Sequence, residues 1–154
     1  MQMTDSQYID LIKEFLGACR TGKQIISEMP ELPRGITPRH VRVIDMIHKQ
    51  LETHDEVRIS DIADSMKVTR PSVTKLINQL EKLGYLNKMQ NESDHRVYTL
   101  SFTEAGKKLY DRYVRQYFQW VADKLKGLDT DDIETTIRVI EYAENALSVQ
   151  DKEA

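Results

Sequence analysis

Cysteine is nearly absent from this chain, and that absence excludes two architectures at once. Cys19, the one cysteine in 154 residues, has no partner for an internal disulfide, and no Cys pair exists to begin a zinc ribbon. A reducing compartment is the matching expectation. No apolar run approaches the ~18 residues that a membrane-spanning helix needs. The stretch MQMTDSQYIDLIKEF lacks the basic and apolar regions of a secretory signal, so a cytoplasmic protein with no membrane partner is expected. There is no Gly-rich phosphate loop and no activated-Ser or activated-Cys signature, which leaves no basis for an enzyme, a catalytic residue or a cofactor. Prolines number four, and three of them crowd into MPELPRGITP, residues 29–38, the clearest loop in the sequence.

What remains is ordinary for a globular domain: 40% hydrophobic and 31% charged residues in a length that suits one domain. The formal net charge of −3 argues against nucleic acid as a partner, because affinity for phosphate comes largely from Lys and Arg. The average conceals an asymmetry. Between residues 58 and 101 there are seven Lys/Arg and five Asp/Glu, so a slightly basic segment sits inside an acidic chain.

Helical spacing of Ile12, Phe15, Leu16, Cys19 and Ile26 predicts a first helix over about 4–27. Thr37 with Pro38 reads as the start of a second, through Val41, Ile44, Ile47 and Leu51, and "VRI" as a short strand. Ser60 reads as the cap of a short helix, DIADSM. "KVT" then turns the chain, and Thr69 caps RPSVTKLINQLEKLG, giving two helices joined by a tight turn. In the second of these, Val73, Leu76, Ile77, Leu80 and Leu83 form the buried stripe. The opposite face shows Pro71, Ser72, Thr74, Lys75, Asn78 and Gln79, with no carboxylate.

After Gly84 the period changes to two. YLNKMQ and RVYTLSF flank NESDH, a β-hairpin with a polar tip. Thr103 caps a predicted long helix running to about Gly127, and Asp129 or Thr130 caps a last one with Ile133, Ile137, Ile140 and Leu147 on one stripe. The fold class expected is mainly α with a small β-hairpin wing: a winged helix-turn-helix head over about 36–101, flanked by helices at about 4–27 and 103–148. Those outer helices carry more apolar surface than one such domain needs, notably Tyr110, Tyr113, Tyr117, Phe118 and Trp120. The expectation is a homodimer joined through them.

From GITPRHVRVIDMI through VTRPSVTKLINQLEKLGYL to a wing ending D-x-R…L-x-x-T-x-x-G, about residues 35–106, the chain resembles the MarR-type winged-helix transcription factors. The resemblance implies a bacterial or archaeal regulator, a repressor by expectation, that binds a pseudo-palindromic operator in double-stranded DNA as a homodimer. Arg70 and Lys75 then suit guanine edges or phosphates, Asn78 and Gln79 offer amide forks to adenine, and the Thr74 methyl fits against thymine. Thr69, Ser72 and the helix start, with Pro71, suit a phosphate. In the wing, Arg96 is the candidate for a narrow minor groove, Asp94 its orienting partner, and Lys88 a further cation. His95 stands where the family usually has a basic residue, so wing affinity is expected to be weaker and pH-sensitive. Lys67 occupies a turn position often held by Gly, at a cost of about 1 kcal/mol if it is left-handed.

The resemblance also implies a small aromatic or phenolic effector, with Phe15, His40, Tyr110 and Tyr113 as lining candidates; plain hydrophobic core is the competing reading. A redox-responsive regulator acting through Cys19 is one alternative. A metal-responsive one is another, although His40 and His48 lie about 12 Å apart along one helix and cannot share an ion by themselves, so no metal ligand is assigned. The third alternative is a winged-helix interaction module that never touches DNA.

Overall fold

Helix α1, Asp5–Ser27, begins with a capping box: the Thr4 hydroxyl accepts from the Gln7 amide at 3.3 Å, and the Gln7 side chain accepts from the Thr4 amide at 2.9 Å. Its apolar residues nevertheless find little cover: Phe15 and Cys19 are half-buried and no residue of α1 is buried. The computed structural model describes residues 3–148, which divide at Tyr110 into two units considered in turn.

In the first unit, Thr37 and Pro38 open helix α2, Pro38–Leu51, as the spacing predicts. Strand β1, Val57–Arg58, passes directly into α3, Ile59–Met66. The helix therefore starts one residue before Ser60, which is not its cap. The Ile59 amide, free at a helix start, donates to Arg96 O at 3.4 Å across the sheet, so no side-chain cap is needed there. Lys67 ends α3 in the left-handed region, at φ 55°.

Thr69 caps α4, Arg70–Lys82, its hydroxyl accepting from the Ser72 amide at 3.3 Å. Gly84, at φ 84°, closes α4: the Tyr85 amide returns to Leu80 O at 2.9 Å and the Gly84 amide to Glu81 O at 3.0 Å. Strands β2, Leu86–Gln90, and β3, Val97–Phe102, form the hairpin, and β1 pairs on the far side of β3. All pairings are antiparallel, with Leu86 opposite Phe102 and Arg58 opposite Val97.

Thr103 precedes α5, Glu104–Tyr110, and ties it to the end of α4. The Thr103 hydroxyl donates to Gly84 O at 2.6 Å and accepts from the Gly106 amide at 3.1 Å, while the Thr103 amide donates to Tyr85 O. A Cβ on Gly106 would lie 2.0 Å from Tyr85 O, so only glycine fits. The T-x-x-G motif is thus a clamp between the root of the wing and the next helix. Val43, Ile44, Ile47, Val57, Ile62, Val73, Ile77, Leu80 and Leu86 are fully buried and form the core from α2, β1, α3, α4 and β2.

The second unit opens with a π-helical stretch, Asp111–Gln116, followed by α6, Tyr117–Leu125, and α7, Thr130–Ser148. A uniform α-helix was the expectation here. Within it the adjacent Tyr113 and Val114 are both buried, and the Gln116 side-chain amide donates to the Asp111 carboxylate at 2.6 Å, an i,i+5 contact that suits π pitch. Asp129 caps α7, accepting from the Asp131 and Asp132 amides at 2.9 and 3.3 Å. No residue of α6 or α7 is buried.

Candidate nucleic-acid interface

Burial of Val73, Ile77 and Leu80 fixes how α4 rolls on the core, and the roll decides what it shows to solvent. The exposed side is an open groove bounded by Arg70, Pro71, Thr74, Lys75, Asn78, Gln79 and Lys82. Among the described residues, Arg70 and Lys75 have no ion-pair partner, so their charges face solvent uncompensated. Thr69 and Ser72 meet at 2.8 Å between hydroxyls at the helix start; Pro71 has no N–H and the Ser72 amide is capped by Thr69, so the positive helix end, the Arg70 amide and the two hydroxyls are what favour an anion there. Lys82 completes the groove without having been singled out from sequence; its place one turn beyond Asn78 was the available signal.

The hairpin tip is built from side-chain turns. Asn91 Oδ1 accepts from the Ser93 and Asp94 amides at 2.8 and 3.1 Å. Asp94 then takes the Arg96 guanidinium in a two-point pair, Nε to Oδ1 at 2.9 Å and Nη2 to Oδ2 at 3.1 Å, and the Arg96 backbone amide at 3.0 Å. Arg58, reached through the β1–β3 pairing, lies 3.9 Å from the same carboxylate. Hydrogen bonds from the Arg96 side chain and then its backbone hold the Asp94 carboxyl at a pKa of about 2. Asp94 thus orients Arg96 and is not poised as an acid or base at neutral pH. Arg58 was missed because only strand register brings it here.

A small cleft of about 130 Å³ is lined by Ile59, Ser60, Arg70, Thr74, His95, Arg96 and Tyr98, so the exposed His95 and the wing arginine stand beside the first turn of α4. Lys88 is set apart from the tip. Its ammonium bonds the Asn78 side-chain oxygen, pairs with Glu81 at 3.5 Å and lies over the Tyr98 ring, pinning the hairpin to α4.

The residues expected around an effector have separate settings. Phe15 is half-buried on α1, and Tyr110 stacks on His48 at 3.9 Å between centroids. Tyr113, a residue of the second unit, is buried, with the Arg112 guanidinium over its ring. His40 is 4% exposed; its Nδ1 faces the Thr37 amide and hydroxyl at 3.1 and 2.8 Å, and its Nε2 faces Gln79 Oε1 at 3.0 Å. Burial lowers the His40 pKa, opposed by the bond to Gln79. Cys19 is half-buried on α1. Among the described residues no group of three or more His, Cys, Asp or Glu side chains is placed to hold a metal ion.

Residues 36–98 match the model of the MarR family. The transcriptional repressor MdtR of Bacillus subtilis (strain 168) is 32% identical over 73 residues, which are 47% of this chain and 44% of that protein. The chain spans less than half the length of the first curated relatives it matches, 38% and 44%. FabT from Streptococcus pneumoniae, crystallised in complex with DNA, has a similar structure with TM-score 0.63 and 23% identity, covering 92% of this chain and 99% of that one. AbsC, a MarR family transcriptional regulator from Streptomyces coelicolor, gives TM-score 0.67 at 17% identity, with coverage of 96% and 98%. At these identities the structural likeness is one of fold.

Proposed function

Because this chain carries a MarR-family winged-helix domain, we propose that it is a sequence-specific DNA-binding transcriptional regulator that acts as a homodimer and represses the genes it controls. The observation that carries the reading is the exposed face of α4: cations, hydroxyls and amides without a carboxylate, bordered at one end by the cleft that holds Arg96. Such a face enters a major groove, with phosphates taken by the helix start and by lysine, while the wing arginine reaches the adjoining minor groove. FabT provides a DNA complex on this fold, and MdtR is a repressor, which is the sign assigned here.

The dimer half of the proposal rests on α1, α6 and α7, in which no apolar residue is buried and many are exposed, Ile26, Trp120 and Ile137 among them. Modulation by a small aromatic or phenolic effector belongs to the same proposal, with Phe15, His40, Tyr110 and Tyr113 as the positions to substitute. An effector acts here by favouring a dimer whose half-site spacing no longer fits the operator.

Selection of bound duplexes from random DNA tests the reading. The expected result is a pseudo-palindrome whose half-sites are centred about one helical turn apart, roughly 34 Å. Failure to enrich any motif at low salt, with the protein folded, would leave the DNA-free interaction module as the better account.

A further inference from the structure

The two amides on the exposed face of α4 each have the oxygen engaged within the protein. The backbone amide of Thr37 points at His40 Nδ1 at 3.1 Å, and a backbone N–H can only donate, so Nδ1 is the acceptor. The neutral ring then carries its proton on Nε2, and the partner 3.0 Å away must accept: Gln79 is held through Oε1, as placed. The Gln79 amide nitrogen has no partner among the described residues and borders the groove. Asn78 is held in the same sense, its oxygen bonded by the Lys88 ammonium. Arg70 and Lys75 can only donate and both amide oxygens are turned to partners within the protein, so donors dominate what α4 offers, with the Thr74 and Ser72 hydroxyls and the second lone pairs of those oxygens able to accept.

Adenine is read by an amide only when both ends are available, oxygen to N6–H and nitrogen to N7. An amide that turns only its N–H groups to the groove meets two acceptors on guanine, O6 and N7, and thymine O4, whereas on adenine it meets N7 alone beside the N6–H donor. We propose that His40 is a positioning residue that commits Gln79 to donate, so that the base contact of Gln79 selects guanine or thymine and disfavours adenine. The inference rests on the DNA-reading proposal and adds to it a residue that lies beneath the interface and touches no base. Burial of His40, which disfavours its charged form, keeps the ring in the neutral state that the arrangement requires.

Bound-duplex selection with four versions of the full chain is the test. Gln79→Ala identifies the base position that Gln79 reads, as the one whose preference it erases. In the wild type that position should be guanine or thymine. His40→Phe keeps an aromatic ring but frees the Gln79 oxygen, and should raise acceptance of adenine there about tenfold, in the range a bidentate contact commands. His40→Gln can still accept from Thr37 and donate to Gln79, and should restore the original preference. Adenine at that position in the wild type, or an unchanged preference in His40→Phe, overturns the inference while DNA reading stands. No position erased by Gln79→Ala overturns it as well, and absence of any wild-type motif removes the DNA-reading proposal beneath it. If His40→Phe does not fold, nitrogen NMR of the wild-type imidazole at neutral pH decides: a proton on Nε2 alone supports the arrangement, and a proton on Nδ1 overturns it.

Discussion

Helices α4 and α7 both repeat an apolar residue at every third or fourth position. In α4, Val73, Ile77 and Leu80 are buried against α2, α3 and β2; in α7, Ile133, Ile137, Ile140 and Leu147 are all exposed, Ile137 by 50%. The same is true of α1, where Ile26 is 76% exposed. Periodicity therefore reports that a face is made to be covered, and says nothing of what covers it. For α4 the cover is this chain. For α1 and α7 the cover we propose is a second copy, because leaving so many apolar side chains of each helix in water is unfavourable at about 25 cal/mol per Å².

The comparison breaks most visibly under paired substitutions. Leu80→Ala should cost about 2–5 kcal/mol in urea denaturation, because it opens a cavity among residues that cannot collapse onto it. Ile137→Asp should leave the folding of the head intact and abolish the dimer in sedimentation velocity at micromolar concentration. If Ile137→Asp instead unfolds the head while the chain stays dimeric, α7 is core and the contrast drawn between the two helices is wrong.

How much could be read without coordinates follows the same division. The bounds of α4, the Thr69 cap and the Gly84 stop come from local chemistry, and they stand where the residues put them. The T-x-x-G motif was visible as a pattern, but its cause, a glycine pressed on Tyr85 O, needed the fold. Ser60 misled because the helix begins at Ile59, whose amide donates to Arg96 O, 37 residues further along the chain. The π turn at Asp111–Gln116 was invisible to a 3.6-residue period. In the interface, residue types on the α4 face were legible, whereas the commitments of Lys88 to Asn78 and of His40 to Gln79 are contacts between elements and leave no local trace.

A smaller effect separates the strained turn of the head from its reading face. Lys67 holds φ 55°, a conformation that costs a residue with a Cβ more than it costs glycine. Lys67→Gly should stabilise the head by about 0.5–1 kcal/mol, offset in part by the greater freedom of glycine in the unfolded chain. Its affinity for the selected duplex should change little, since Lys67 lies outside the α4 groove. A large loss of affinity would show that Lys67 contacts phosphate and that the lysine is kept for binding despite its backbone cost.

The smallest effect expected is in the wing, where the contrast is between a packed helix and an exposed, ion-paired tip. Asp94 has a folded pKa of about 2, below its ordinary value of 3.8, because Arg96 bonds its charged form. A depressed carboxylate stabilises the fold above the unfolded value and loses that contribution as pH falls through the folded one. The window is therefore from about pH 4 down to about pH 2, and between pH 5 and 8 the contribution of this pair should be present and independent of pH. Asp94→Asn should flatten the acid limb only slightly, since an exposed pair is screened by solvent. Its effect on DNA should be larger than its effect on folding: Arg96 loses its two-point restraint, so binding weakens while the melting temperature barely moves. Equal losses in both would mean that Asp94 supports the hairpin as a whole, through Arg58 as well as Arg96, and does not act chiefly to aim the wing arginine.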